Sequence, residues 1–436
     1  TAERAATQGT VADFAEAFRA YDRWRTGPPG SDSTVASAYD RLRQALRTRV
    51  RFDPPAQAAT EAVAAVPRLP LDAYTSLITR QQLKKVSLAT PGPVFVRAKD
   101  LCFSLEPETG SPRWVLRVGY DAPLPELVSQ PSRLSVMVPW FDDGKPMISL
   151  CDAASGGSIW TWQAPGVLAG SPAVTRNSVF AATVSGTLWQ LDLEKGTPQR
   201  MVQLPEPLDG PPAIRAERGQ AVGLCLVGAS QGVYLFDVAR DEPTCVDVVL
   251  LSRQPHTMRC QALWEPPYVL IFENDFMNRC TVRVLFQETA GHRQIRETEL
   301  DGRLWQPPVL DGADLFVVTD RGKKYCFGLD PGNPAVNLYT SATGSQSAEW
   351  STPIRTHFAH VAELPFVALS DALRGYRLDR AQALLLDAWT RPLPSPQARG
   401  IQPLQVLDGL IVSAFQEPAA DGVVVQAVSS TKGELI

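Results

Sequence analysis

His357 and His360 share the segment THFAH and form the closest pair of imidazoles in the chain. Two such side chains could begin a zinc site. On a β-strand, however, a spacing of three sends them to opposite faces. The densest polar run, Phe272-Glu273-Asn274-Asp275-Phe276, offers the oxygen donors that a Ca²⁺ ion takes. Successive strand side chains alternate between faces, so three in a row cannot converge on one ion. The run therefore reads as a polar hairpin tip. Seven cysteines (Cys102, Cys151, Cys225, Cys245, Cys260, Cys280 and Cys326) are odd in number, scattered and free of any CxxC spacing. Cys102, Cys151, Cys225 and Cys326 lie in apolar strand runs, where a thiol is a small core hydrophobe; one or two disulfides are the alternative reading. No GxSxG, P-loop or dinucleotide fingerprint occurs. The residues assign no catalytic, cofactor or metal site.

A different chemistry is suggested by VPWFDDGKP (138–146), which sets Trp140 and Phe141 beside Asp142 and Asp143 in a long hairpin. Aromatic groups at a polar tip are costly in water and mark contact surfaces. These four residues are the candidate partner-binding site, with packing against a helical segment as the alternative.

The elements that would carry them come from a degenerate repeat. PVFVRAKDLCFSLEPETGSPRW (93–114), SVFAATVSGTLWQLDLEKGTPQRM (178–201) and the stretch from 409 to 436 each show a strand, a polar turn, a second strand, a Gly turn and the start of a third. Taking one strand per unit as a marker, units begin near Val94, Leu134, Val179, Val222, Val269, Leu315, Val367 and Leu410. Their spacing of roughly 40 to 52 residues suits four strands and their turns. A second marker keeps the same phase: a short strand with Pro near its start, as in GSPAV (170–174), GPPAI (210–214), WQPPVL (305–310), STPI (351–354) and QPLQV (402–406). Pro suits the first position of a strand, where its missing N–H costs nothing in the ladder. Eight units are expected, with seven as the alternative count. Gly110, Gly157, Gly196 and Gly433 fit tight turns, and Trp114 and Trp160 are expected to wedge neighbouring blades.

Residues 1–85 are different material. Phe14, Phe18, Tyr21 and Trp24 define one helical face, and Tyr39, Leu42, Leu46 and Val50 a second. GPPGSDS separates the two, and short helices are expected around AQAATEAVAAV and LDAYTSLITRQQ. Such short helices cannot bury a core alone and should pack on the β-rich remainder. The domain expectation is thus a helical segment over 1–85 and an eight-bladed β-propeller of four-stranded antiparallel blades over 86–436.

Composition bounds the function. Residues 1–90 carry 13 basic and 9 acidic side chains, the remainder 29 and 37, so the β-rich part is mildly acidic and unsuited to generic nucleic-acid binding. No run approaches the 18 apolar residues of a membrane helix. The opening TAERAATQGT has no initiator Met, basic region or apolar core of a signal peptide. SSTKGELI stops where the first repeat runs on through ETGSPRWVLRV, so a piece of a longer protein is expected.

LEPETGSPRW (105–114), DAASGGSIW (152–160) and LDLEKGTPQRM (191–201) resemble the pyrroloquinoline-quinone-type propeller repeat. That repeat builds both quinoprotein dehydrogenases and the non-enzymatic BamB-type propellers of outer-membrane protein assembly. The resemblance spans about residues 86–436. It implies a propeller that holds loops for a protein partner, in a bacterial envelope setting, with a reducing cytoplasm, which the scattered strand cysteines would suit, as the alternative. The enzyme branch would need a clamped quinone, an ion held by carboxylate and amide, and an Asp base; many alcohol-oxidising members also carry a disulfide between neighbouring cysteines. No adjacent cysteines occur here. The expectation is a monomeric, non-catalytic ring without cofactor that binds an unidentified protein, a module of a larger bacterial protein. A quinone-dependent dehydrogenase or a ligand-sensing propeller is the alternative. Ring closure is left open: VSLA (86–89) could be the inner strand of blade one or complete blade eight beside GELI.

Overall fold

In a computed structural model, the described residues are 33–50, 52–55, 65–71, 92–120, 122–130, 132–217, 220–228, 232–239, 242–250, 258–259, 262–265, 268–275, 277–287, 293–312, 314–330, 333–340, 356–361, 364–369, 371–379, 384–417 and 422–436, with Asp13, Glu16, Ala17 and Ala20. They form eight antiparallel sheets in chain order, so the count of eight holds over seven. Blade one spans residues 68–117, blade two 126–163, blade three 173–203, blade four 213–250, blade five 258–301, blade six 309–340, blade seven 357–392 and blade eight 399–429. The Pro-marked strands are the inner ones: Ala173–Val174, Ala213–Glu217, Val309–Asp311 and Gln405–Leu407 each pair with the following marker strand. STPI and VSLA lie outside the described residues, as do Phe14, Phe18, Tyr21 and Trp24.

A blade has two apolar faces, and each is buried against a neighbour. Among the described residues there are eight buried apolar clusters, one at every junction from blades one and two round to blades eight and one. The last junction closes the ring. Val94 and Val96 of blade one meet Val412 and Ala414 of blade eight there. It also carries a polar clamp. In the strand Val94–Ala98, residues 94, 96 and 98 face their partner strand in the ladder, so Phe95 and Arg97 turn their backbone groups toward the inner edge. Gln405 Oε1 accepts from Phe95 N at 2.9 Å and Gln402 Oε1 from Arg97 N at 3.0 Å. The two amide nitrogens donate back to Phe95 O, Gln402 at 2.8 Å and Gln405 at 2.6 Å. Glutamine side chains satisfy an edge that a strand would otherwise pair.

A second device repeats between blades. Trp114, Trp160 and Trp389 stand on outer strands and donate their indole N–H across the junction to Ala153 O (3.0 Å), Leu193 O (2.9 Å) and Ser430 O (2.9 Å). Each ring lies on a turn glycine of the next blade: Gly156, Gly196 and Gly433. These residues have φ of 69°, 67° and 66°, and a Cβ on Gly156 would sit 2.8 Å from the Trp114 ring. The glycine that matters in blade two is therefore Gly156, not the expected Gly157. In blade three Arg200 holds the tryptophan's register position and reaches Glu242 of blade four at 3.3 Å.

The N-terminal segment is strapped to the outside of this ring. The helix Ser33–Arg49 ends on Arg47 and Arg49, cations suited to a helix C-terminus. Its Leu42 and Leu46, with Val50, Phe52 and Ala17, bury against blades three and four. Phe52 stands edge-on to Phe180 of blade three and Phe236 of blade four, with centroids 6.2 and 5.7 Å apart. Asp53 exchanges two 2.8 Å backbone hydrogen bonds with Met201, and Cys245 N donates to Val50 O. Further on, Arg68–Leu69 adds an outer strand to blade one. Packing thus crosses residue 85 at three blades. Truncating Phe52 to Ala should cost about 3–5 kcal/mol of unfolding free energy in a urea titration, with no change in the ring's own strand content by circular dichroism.

Candidate functional site

Strands in a blade alternate in direction. The hairpins between second and third strands therefore emerge at the same end of the ring as the connectors from one blade to the next. At this connector end several of the described connectors grip the next hairpin. Phe141 N donates to Val118 O at 3.0 Å, Val184 N to Val167 O at 2.8 Å, and Asp320 N to Arg303 O at 3.0 Å. Charge reinforces the last of these: Asp301 of blade five binds Lys323 Nζ at 2.6 Å and Arg321 Nη1 at 3.0 Å.

The candidate residues Trp140, Phe141, Asp142 and Asp143 sit in this layer, but not all at its surface. Asp142 pairs with Lys145, leaving Asp143 and Gly144 as a two-residue loop with φ of 46° and 77°. This pattern defines a type I′ hairpin, so the tip begins later than the aromatics. Trp140 is only 1% exposed, in the core shared by blades one and two. Its Nε1 donates to Ser149 Oγ at 2.9 Å, and that hydroxyl pairs with Thr161 Oγ1 at 2.8 Å. Trp140 is a core residue and not a contact residue: strand Arg133–Asp142 is buried on both faces between two blades, and its apolar run continues to the hairpin's neck. Phe141 is half-buried over Gly119, while Asp142 and Asp143 are exposed.

Beside them stands Tyr120, 70% exposed, which the sequence reading missed. Val167 and Val184 are exposed above blade three, Met277 (72%) on the hairpin of blade five, and Trp305 on the connector after it. The opposite end is built from turns reading EPETG, DAASG and DLEKG, whose exposed members are small or polar. That end also exposes Leu134, whose carbonyl accepts from Ala153 N of the DAASG turn, and Val406 beside the first hairpin of blade eight. The only sequence signal for Tyr120 is an aromatic beside Gly119 in an inter-blade turn.

The groups weighed for chemistry are held apart. His357 is buried with Nδ1 3.2 Å from Gln306 Oε1, while His360 is exposed. In the FENDF run Glu273 is buried against Arg283 at 2.5 Å, so it is an ion-pair partner and not part of a tip. Asn274 grips the backbone of Leu304 through both amide atoms at 2.8 and 2.7 Å. Only Asp275 lies in the turn, accepting from Arg279 N at 2.8 Å; Phe276 is outside the described residues. Among the described residues no group of three His, Cys, Asp or Glu side chains is placed to share an ion. Cys102, Cys151, Cys225, Cys245, Cys280 and Cys326 are all buried; Cys260, His256 and His292 fall outside the described residues. Burial pushes the thiols of Cys102, Cys151 and Cys225 up to about 12.

The ring is an eight-bladed β-propeller, and part of it matches a known family. Residues 99–209 match the family described as outer membrane protein assembly factor BamB. Among solved structures, the chain is similar to BamB from Moraxella catarrhalis at 12% identity and a TM-score of 0.53, covering 80% of this chain and 99% of that one. Sqt1 from Chaetomium thermophilum bound to the N-terminus of ribosomal protein L10 matches at 13% identity and TM-score 0.51, covering 70% and 84%. The computationally designed protein Ika8 matches at 13% identity and TM-score 0.51, covering 79% and 98%. At such identities these similarities define the fold. No curated protein matches the chain in sequence. No helix among the described residues is long and apolar enough to cross a membrane.

Two outcomes follow from the chemistry of this layer. The folded chain should leave Cys102, Cys151 and Cys225 unalkylated by iodoacetamide at pH 8, with modification appearing on adding urea, as read by peptide mass spectrometry. The hydrogen bond from Lys323, aided by Arg321, holds the Asp301 carboxyl below its ordinary value. Its stabilisation is thus full above the unfolded value of about 3.9 and fades as pH falls through the lower folded value. Asp301→Asn should flatten that part of the acid limb in a stability-against-pH profile.

Proposed function

We propose that this ring is a non-catalytic scaffold that presents its connector end to a protein partner, as a module of a larger bacterial protein in the cell envelope. The observation that carries the reading is the set of exposed apolar side chains gathered on the connector end. Tyr120, Val167, Val184, Met277 and Trp305 are exposed at the connector end, on short segments that backbone hydrogen bonds hold rigid. Exposed apolar groups with polar neighbours are what a partner can desolvate at little ordering cost. Asp142 and Asp143 beside Tyr120 add acidic groups at the rim, suited to steering a basic complement. The similarity to BamB and to a propeller solved with a ribosomal-protein segment supports the scaffold reading.

Site-specific photocrosslinking tests this in the cell of origin. A crosslinker replacing Tyr120, Val167 or Met277 should give a discrete protein adduct. The same group replacing Lys195 or Lys432, in turns of the opposite end, should not. Equal adducts from both ends, or none from the connector end, would contradict the proposal.

A further inference from the structure

The exposed groups above blades one to three form a single row. Five segments lie side by side at the connector end, each hydrogen-bonded to the next. Phe141 N donates to Val118 O (3.0 Å), Ala164 N to Pro146 O (2.9 Å), Val184 N to Val167 O (2.8 Å) and Leu208 N to Val184 O (3.2 Å). A Cβ on Gly119 would meet the Phe141 ring at 3.2 Å, so the connector carrying Tyr120 lies flush on the hairpin of blade two. The order along the row is therefore Tyr120, Asp142 with Asp143, Val167 and Val184. Tyr120 is 70% exposed, Val167 63% and Val184 43%.

Charge is spread unevenly along it. The connector 164–170 reads APGVLAG and the hairpin 183–187 reads TVSGT, with no ionisable side chain. Asp142 and Asp143 stand exposed at the other end. Among the described residues neither carboxylate has an ion-pair or hydrogen-bond partner, Lys145 of the same hairpin included. With Lys145 counted, the hairpin keeps a net negative charge. The next acid along, Glu206, is already engaged: its Oε1 accepts from the Tyr234 hydroxyl at 2.6 Å. The row thus joins two carboxylates beside an aromatic ring to an uncharged aliphatic stretch.

We infer that this row docks a basic, apolar segment of the partner protein, with an arginine or lysine over Tyr120 against Asp142 and Asp143 and apolar side chains on Val167 and Val184. A cation held between an aromatic face and carboxylates gains from both. The aliphatic part supplies buried area, and the acidic end sets orientation and association rate. An acidic segment would meet like charge at one end and find no cation at the other. The inference rests on the scaffold reading and deepens it by naming the class of segment bound.

The test uses the whole chain in the cell of origin, with a photocrosslinking residue in place of Val167. Fragmentation of the adduct should place the link in a partner segment of net positive charge. Asp142→Asn combined with Asp143→Asn should lower the adduct yield about fivefold. Asn tolerates the φ of 46° at position 143, so the turn is kept. Glu194→Gln, which removes an acid from the opposite end, should leave the yield unchanged. No Val167 adduct, a link to a neutral or acidic segment, or a yield indifferent to the Asn pair would overturn the proposal. If the Asn pair folds poorly, the sequence at the link decides alone, since it is read with the hairpin unaltered. Failure here with Met277 adducts intact removes this row only; loss of adducts from every connector-end position removes the scaffold reading.

Discussion

The junction of blades eight and one governs the rest of the molecule. Each blade leaves two apolar faces to cover, and an open row of eight would expose one at either end. Closure removes both, yet it must join segments some three hundred residues apart in sequence, against the entropy of a very long loop. The buried apolar contact there is small, four residues against ten or more at the junctions of blades one with two and two with three. Gln402 and Gln405 compensate by satisfying the Phe95 and Arg97 backbone, groups that would be costly to bury without partners. Every other interface depends on this one, because a ring that opens here leaves its terminal faces in water.

The architecture was legible because two independent markers repeat in phase. Pro opens inner strands where a ladder N–H is dispensable, and marker strands follow at one-blade intervals. Tryptophans wedging adjacent blades were legible from their offset to glycine, although in blade two the left-handed residue is Gly156 and not its neighbour. Leu42, Leu46 and Val50 were readable as one helical face. The use made of Phe52 and Asp53, which bridge two blades outside any periodic pattern, was not.

The candidate hairpin shows where local reading ends. Trp140 looked like a tip residue because acidic groups follow it, but Asp143-Gly144 alone makes the turn, and the strand before it is buried on both faces. Alternation carries no signal in such a strand. Tyr120 is visible only once the connector is placed beside Phe141, and the clamp glutamines resemble ordinary surface residues in sequence. What the loops do depends on which end of the ring they share, a property of topology rather than of any short motif. The exposed apolar groups of the connector end are of this kind.

Closure itself can be measured without a partner. Native-state hydrogen exchange on the whole chain reports the Phe95 and Arg97 amides, which face glutamine side chains instead of a strand. A closed ring should protect both amides to the same degree as ladder amides at the heart of blade two, such as that of Ile148. Exchange of Phe95 and Arg97 at the rate of an exposed strand edge, with blades two to seven still protected, would contradict the closed ring on which the account rests.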